Sequence, residues 1–175
     1  MIATRRLYFA TFCAAMAYVA FWSNWQRDQN RSRSRNIHSS DMERIKRDVA
    51  SLFKQVFTER LEANDGFEVV DAADYDVLLL RPAIIDLDAS APDTMSSGRS
   101  STFSASTGAA TLYIELFDSV SGAIIDRAAD RQAARNTGGS VSWRNRVANT
   151  AEARRMFGGW ADLLRNFLDT HYTRK

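Results

Sequence analysis

The sequence has little of the chemistry that catalysis uses, with one cysteine, Cys13, and two histidines, His38 and His171. A single cysteine excludes an intramolecular disulfide and a zinc site built from several thiolates. A Ser–His–Asp triad would need the fold to hold one histidine against a serine, and neither histidine lies in a context that suggests this. The chain also lacks a glycine-rich loop of the Walker or dinucleotide-binding type. We therefore expect a protein that is not an enzyme, with no catalytic residues and no cofactor.

Charge is unevenly distributed along the chain. Residues 1–38 contain six arginines and one aspartate, a net charge of +5, which leaves −3 for the remaining residues. A mildly acidic domain behind a basic leader is poorly suited to holding phosphates across its folded surface. We therefore expect no nucleic-acid partner. A weaker alternative uses the arginines of 31–35 and the "WRNR" run at 143–146, where Trp143 would stack on a single strand.

The N-terminal segment resembles a targeting sequence. Arg5 and Arg6 precede sixteen residues without a charge, "LYFATFCAAMAYVAFW" at 7–22. This run is long for the core of a signal peptide and short for a membrane span of about 20 residues. Residues 1–25 are predicted to be a signal peptide, with "AMA" at 15–17 as a cleavage site, or a membrane anchor. The expected location is the cell envelope, on the periplasmic face, with membrane attachment through this segment.

Cys13 raises the alternative of lipid attachment, which the bulky Phe12 before it disfavours. Residues 26–38, "QRDQNRSRSRNIH", have no apolar periodicity and are predicted to form a basic flexible linker. The "RSRSR" run within it could also contact anionic lipid headgroups. A single domain is expected to follow at 39–175.

Two segments of this domain have helical periodicity. Ser40 and Glu43 fit a capping box, and "NDG" at 64–66 fits a helix stop. Between them, apolar residues recur at helical spacing: Met42, Ile45, Val49, Leu52, Phe53, Val56 and Phe57. Asn149 and Glu152 fit a second capping box, and the closing helix carries Met156, Phe157, Trp160, Leu163, Leu164, Phe167 and Leu168. Each helix has an apolar stripe that must cover something.

The segments between the helices are predicted to be strands, at 67–70, 75–89, 109–118 and 123–135. In the third, alternate residues share one face: Ala110, Leu112, Ile114 and Leu116. "SVSG" at 119–122 fits a hairpin turn. In the last strand Ile124 and Ala128 share a face with Asp126 and Asp130, so this strand is expected to be half wet. The predicted fold is α+β, a largely antiparallel sheet of about four strands with two long helices on one face.

Acidic residues at the end of the second strand are the best candidates for chemistry. Asp86 and Asp88 would lie on one strand face, and Asp93 follows in the loop. Three carboxylates could gather a hard cation such as calcium, which gives the alternative function of a metal-dependent hydrolase using 86–93. Their spacing matches no EF-hand, and acids at strand ends are commonly solvated or paired with arginine. No metal ligand is therefore predicted.

From about residue 76 to 165 the chain resembles a family of bacterial lipoproteins known as domain of unknown function 3313. The resemblance rests on three blocks, "LLLRPAIIDLDASAPDTMSSGRSSTF", "ATLYIELFDSVSGAIIDRAADRQAAR" and "WRNRVANTAEARRMFGGWADLLR". It implies an exported, envelope-associated protein without an assigned activity or catalytic residues. It also implies a fold similar to envelope lipoproteins that bind other proteins. The chain departs from the family pattern at Cys13 and at the arginine-rich linker.

The polar run at 91–106 joins two adjacent predicted strands and is longer than a tight hairpin needs. It has none of the histidine, cysteine or clustered acids that a catalytic loop requires. It is predicted to contact a partner through Met95, Arg99 and Phe103, or else to be an uncommitted connector. Together these features predict a non-enzymatic binding or assembly module of the cell envelope with a protein partner.

Overall fold

The computed structural model describes residues 6–9, 18–21, 24–31, 36–90, 106–133 and 146–172. Within these residues the chain forms six strands and three helices, which confirms the α+β class. Their order along the chain is β1 (Arg6–Phe9), β2 (Tyr18–Phe21), α1 (Trp25–Arg31), α2 (Ser39–Glu62), β3 (Glu68–Val70), β4 (Val77–Ser90), β5 (Ser106–Asp118), β6 (Ile124–Ala133) and α3 (Arg146–His171).

The sheet is mixed, which corrects the prediction of a largely antiparallel sheet of about four strands. Its order is β3-β1-β4-β5-β6, with β2 also beside β4. β1 runs parallel to both β3 and β4, and β2 runs parallel to β4. Only the β4–β5–β6 portion is antiparallel, with Leu80 opposite Leu116 and Ile114 opposite Ala128. The additional strands come from the apolar N-terminal segment, whose aromatic and β-branched residues favour extended backbone.

The structure describes regular elements in segments where the sequence predicted a leader and a linker. Leu7 and Phe9 of β1 are buried in the core, as is Trp25 at the start of α1. Ile37 is also buried, and its N–H donates to Asn30 Oδ1 at 2.7 Å. No helix of the described segments is both long and apolar enough to cross a membrane. Signal-peptide cleavage and membrane anchoring stay predictions, and Cys13 lies outside the described residues.

Pro82 lies inside β4, a central strand, where a missing N–H would normally break a ladder. β1 pairs with β4 at 77–80, and β2 pairs with it again from Ala83. Pro82 therefore stands where the partner on that side changes from β1 to β2. On the other side it lies opposite Ile114 of β5. The break between two short parallel strands accommodates the proline without requiring it to be at a sheet edge.

Helices α2 and α3 pack against each other on one face of the sheet, as predicted. The residues that fill this layer include Phe53, whose ring stacks on Phe57 at 3.9 Å between centroids and meets Phe157 edge-on at 5.5 Å. Phe157 in turn lies 5.9 Å from Trp160. Aromatic side chains at helical spacing therefore join the two helices and form the centre of the core.

The helix caps differ from the sequence prediction. The N-cap of α2 is His38, whose N–H donates to Asp41 Oδ2 at 3.1 Å, so the reciprocal contact is two residues earlier than the predicted pair Ser40 and Glu43. Asn149 lies inside α3, which begins at Arg146. Short polar residues are frequent around both starts, and several of them satisfy the capping pattern equally well.

The C-terminus of α2 is held by a side chain of α3. Arg165 donates to the carbonyls of Leu61 and Ala63 at 3.0 and 2.8 Å, and its Nε lies 2.9 Å from Asp169 Oδ2. These contacts satisfy carbonyls that a helix end leaves without an internal partner. A Cβ at Gly66 would collide with the Leu61 carbonyl and the Arg165 guanidinium. The glycine of the predicted stop is thus required by this close approach.

Candidate functional site

Most residues singled out from the sequence as sites lie outside the described residues. This applies to Met95, Arg99 and Phe103 of the predicted contact loop, and to Asp93. The prediction of a partner-contacting loop at 91–106 therefore stays a prediction. Asp86 and Asp88 are described, and both are exposed.

Asp86 and Asp88 lie at an irregular part of β4, where the pairing with β5 shifts register between Ile85 and Asp88. Asp86 has a φ of 52°, a left-handed conformation that aspartate tolerates better than most residues. The two acids line a polar cavity of about 510 Å³ together with Asp28 and Arg131. No group of three His, Cys, Asp or Glu side chains placed to hold a metal occurs in the described part of the chain.

A second cavity, mostly apolar, lies between α3 and the last two strands. Its volume is about 180 Å³. We call it the α3–β6 groove, and its lining residues are Leu80, Leu112, Ile114, Leu116, Asp126, Arg127, Ala128, Asp130, Trp160, Leu163, Leu164 and Phe167. The groove exists because α3 packs on β5 and on α2, while β6 extends beyond the helix layer and is exposed along nearly its whole length.

The wall of the groove is fixed by a hydrogen bond from α3 to β6. Trp160 is only 2% exposed, and its indole Nε1 donates to Asp130 Oδ2 at 2.7 Å. Gln132 Nε2 donates to the same oxygen at 3.1 Å. Because an indole N–H within a core needs an acceptor, this aspartate both satisfies the tryptophan and fixes the distance between helix and strand.

The rim of the groove carries apolar side chains that remain in contact with water. Leu163 of α3 is 58% exposed, although it lines the same groove as the buried Trp160. Single exposed apolar residues are common, but Leu163 lines a concave apolar surface. A partner that covered the groove would remove Leu163 from water.

Tyr172 lies just after α3 and packs partly buried against the core. Burial raises the pKa of its phenol above the ordinary value, and the negative charge of Asp126 adds to that shift. The end of α3 is therefore close enough to β6 for an acidic side chain of the strand to act on it. Asp126 Oδ1 also accepts the N–H of Arg127 at 2.7 Å.

One side of β6 is paired with β5, and none of the described strands pairs with its other side. We call this side the open edge. The two faces of β6 have opposite charge: Asp126 and Asp130 lie opposite the buried Leu116 and Leu112, whereas Arg127 lies opposite Glu115 on the outer face. An exposed strand edge of this kind presents backbone donors and acceptors that another chain can bind.

The family model for the protein family of unknown function DUF3313 matches residues 28–164. The chain belongs to this family. A search of curated proteins found no significant match. The match confirms the family that the sequence resembles, and it assigns no activity.

Solved structures similar to this DUF3313 member have low identity. A protein from Caulobacter crescentus described as a lipoprotein is 14% identical, with 70% of this chain and 81% of that chain covered and a TM-score of 0.42. The PelC dodecamer from Paraburkholderia phytofirmans is 10% identical, with coverage of 94% and 89% and a TM-score of 0.41. Protein XCC0632 from Xanthomonas campestris, of family DUF330, is 11% identical, with coverage of 95% and 88% and a TM-score of 0.44.

The outer face of the sheet in this DUF3313 member carries a row of charged side chains. Arg81 lies 3.8 Å from Glu115 Oε2 and above the ring of Phe117, at 4.8 Å from its centroid. Tyr113 donates to Glu115 Oε1 at 3.1 Å. Glu115 thus lies between Arg81 on one strand and Arg127 on the next, so its negative charge has an arginine on each side across the sheet.

The sequence identified part of the groove and missed the rest. The half-wet face of Ile124, Asp126, Ala128 and Asp130 was predicted. The last three residues line the groove, whereas Ile124 lies opposite Phe117 beyond a register shift. The apolar stripe of α3 was also predicted, but its members were expected to be core residues. The exposure of Leu163 follows from where α3 crosses the sheet, which the helical pattern does not specify.

Proposed function

We propose that this protein is a non-enzymatic module of the cell envelope that binds another protein at the α3–β6 groove. The observation that carries the proposal is an apolar groove lying directly beside β6, an exposed strand whose second side pairs with none of the described strands. Apolar concave surfaces with a few polar groups at the rim are typical of binding sites. The proposal retains the function predicted from the sequence and moves its main contact from the 91–106 loop to the groove.

The chemistry of the groove favours binding over catalysis. Its polar groups are Asp126, Arg127 and Asp130, and the last of these is already bonded to Trp160. An acid that accepts from a buried indole is a structural contact, and it is poorly placed to transfer protons. What remains for a ligand is apolar contact area with a charged border, the usual composition of a surface that recognises protein.

The envelope location is supported by the sequence of the first 25 residues, with two arginines before an uncharged run, although in the structure Leu7 and Phe9 of this run are core residues of β1. The intact mass of the protein, taken from membrane and soluble fractions of its own host, tests this part. A chain that begins near Tyr18, or a full-length chain in the membrane fraction, supports the location. A full-length soluble chain contradicts it.

Site-specific photo-crosslinking tests the binding site. A photoreactive residue replaces Leu163 at the groove rim and, in a matched control, Tyr75 in the β3–β4 connection, which is 79% exposed. We expect a discrete protein adduct from position 163 that is absent from position 75. The adduct should weaken when Ala128 is replaced by leucine in the same chain, because that side chain lines the groove. Equal adducts from both positions, or no protein adduct at 163, would contradict the proposal.

A further inference from the structure

We infer that the occupant of the α3–β6 groove is an extended strand from a different protein, which pairs antiparallel with the open edge of β6. This inference rests on the proposed function and specifies the chemistry of its partner. The strand would place a large apolar side chain in the groove, a basic side chain against Asp126 and an acidic side chain against Arg127.

Strand addition requires backbone groups that are accessible at a sheet edge. β6 is ten residues long and is the last strand of the order β3-β1-β4-β5-β6. Its residues are exposed from Ile124 to Arg131. The N–H of Arg127 is engaged by Asp126 through a local, exposed bond, which an incoming strand can replace with a bond of its own. The edge is therefore long enough to hold a strand of usual length.

A second copy of the chain fits this edge poorly. When two copies of β6 pair antiparallel about a two-fold axis, the helices of both copies lie on the same side of the joined sheet. A residue on the groove face of one copy can therefore lie opposite only a groove-face residue of the other copy, and the same holds for the outer face. A register centred on Ala128 sets Asp126 against Asp130, and one centred on Ala129 sets Arg127 against Arg131. A register centred on any of the four charged residues sets that residue against itself. Like charges directly opposite one another destabilise a strand pair.

Head-to-tail assembly through the other edge of the sheet is also disfavoured. That side of the sheet ends in two short strands, β3 with three residues, Glu68–Val70, and β2 with four, Tyr18–Phe21. The N–H of Val69 already donates to Glu62 Oε1 at 3.2 Å. A short edge whose amide is engaged by a carboxylate offers few bonds to a neighbour. The charges of β6 and the state of β3 therefore both favour a different protein as the occupant.

The charges of β6 specify the sequence pattern of that partner. An antiparallel strand running from opposite Arg131 to opposite Asp126 would carry, in order, an acidic residue, a basic residue, any residue, a large apolar residue, an acidic residue and a basic residue. The apolar residue then lies opposite Ala128, on the face that lines the groove. Glu-Lys-Thr-Phe-Glu-Lys is one such sequence. Its charges are unlike those of β6 at all four charged positions.

A fluorescent peptide containing Glu-Lys-Thr-Phe-Glu-Lys tests the inference by anisotropy with the purified full-length protein. Two further peptides carry N-methyl groups on one or the other set of alternate residues. In a paired strand, only one set of amides faces β6. We expect one methylated peptide to lose more than about 10-fold in affinity, because several backbone hydrogen bonds are removed. The other should bind within about 2-fold of the parent.

Two protein variants test the charge pattern. Arg127→Glu should weaken the parent peptide by about 2- to 10-fold, because an unlike cross-strand pair becomes a like pair. Glu43→Lys, a change of an exposed acid on α2, is the matched control and should leave the affinity unchanged. Circular dichroism of both variants confirms that they are folded.

Three results would overturn the inference. The first is no saturable binding of the parent peptide up to about 1 mM, a weak limit that a paired strand should pass. The second is an equal effect of the two methylated peptides. The third is self-association, measured by sedimentation velocity, that an excess of the parent peptide dissociates, because the occupant of the open edge would then be a second copy. A protein crosslink at Leu163 together with any of these results leaves the proposed function intact, whereas the absence of that crosslink contradicts both.

Discussion

Removing the carboxylate of Asp130 should destabilise the fold, because this side chain joins α3 to the edge strand. In Asp130→Ala the indole Nε1 of Trp160, which is 2% exposed and now bonds to Asp130 at 2.7 Å, loses its acceptor. The cavity left by the small side chain opens onto solvent at the rim of the groove. The dominant effect is therefore the lost hydrogen bond and not lost packing.

The magnitude follows from the type of bond. A hydrogen bond to a charged acceptor contributes about 1.5–3 kcal/mol, and a buried donor left without a partner costs about 1–3 kcal/mol. Gln132 also bonds to Asp130, and rotation of its amide would supply a replacement acceptor at part of this cost. We expect a loss of about 2 kcal/mol in the free energy of unfolding. For a chain of this size that corresponds to a fall in Tm of about 4–8 °C.

Urea and thermal unfolding, followed by circular dichroism, measure this loss. Asp130→Asn keeps an oxygen for the indole and should lose about 1 kcal/mol or less. Asp126→Ala is the matched control on the same strand face. In the described contacts the hydrogen bond that Asp126 accepts is a local one, from the amide of Arg127. Its removal should therefore change the free energy of unfolding by less than about 0.5 kcal/mol. The indole proton of Trp160, assigned with Trp160→Phe, should exchange with solvent faster in Asp130→Ala. If Asp130→Ala and Asp126→Ala are equally stable, the reasoning is refuted.

Three further predictions concern other parts of the fold. Gly66→Ala should cost about 1–3 kcal/mol in urea unfolding, since its Cβ would collide with the end of α2 and the guanidinium that caps it; wild-type stability would contradict this contact. The hydrogen bond from the N–H of Ser121 lowers the pKa of Asp118 below its ordinary value of 3.8. The ionised carboxylate of Asp118 therefore stabilises the fold above pH 3.8, and this stabilisation is lost as the pH falls through the lowered pKa. Asp118→Asn should flatten that part of the pH–stability curve, and a carboxyl titration by NMR that finds an ordinary pKa would refute it. Asp126→Asn should lower the pKa of Tyr172 only partly towards its ordinary value of 10.0, because burial, the larger cause of the shift, remains. Phenolate absorbance, with Tyr172→Phe as the reference, measures this pKa. An unchanged pKa would show that Asp126 does not act on the phenol.

The central part of the fold could be predicted because its signals are local. Ala110, Leu112, Ile114 and Leu116 alternate along β5, and all four are buried. A strand with one buried face shows this period of two, and a helix that covers it shows a period of 3.6. The hairpin between β5 and β6 was also marked by its turn residues. Antiparallel neighbours that are close in sequence are therefore predictable from the chain alone.

The parallel strands could not be predicted in this way. β1 pairs with residues about seventy positions away, at Val77–Leu80, and no turn joins the two strands directly. Its sequence lies within an uncharged apolar run behind two arginines, which is also the pattern of a targeting segment. Short apolar runs do not distinguish a buried strand from other buried segments. The sheet was therefore predicted with too few strands and without its parallel part.

The groove depends on the distance between α3 and β6, which no local sequence pattern specifies. Periodicity predicts which side of α3 is apolar, but the position of its axis over β5 is set by contacts with α2 and by the bond between Trp160 and Asp130. Leu163 would be a core residue if the axis lay one strand further along the sheet. Its 58% exposure is therefore a property of the packing.

The charges of β6 disfavour pairing with a second copy of the same strand and allow pairing with a different strand. Asp126 and Asp130 lie on one face and Arg127 and Arg131 on the other, so identical strands meet like charges in each two-fold register centred between these residues. A different strand can carry unlike charges at every one of these positions, and specificity is the difference between the two cases. Ala128 keeps the groove open between these charges, because its side chain does not fill the space that it lines with Leu163. A larger residue there would bury more apolar surface and stabilise the isolated chain, and it would also fill the space that the proposed partner side chain enters.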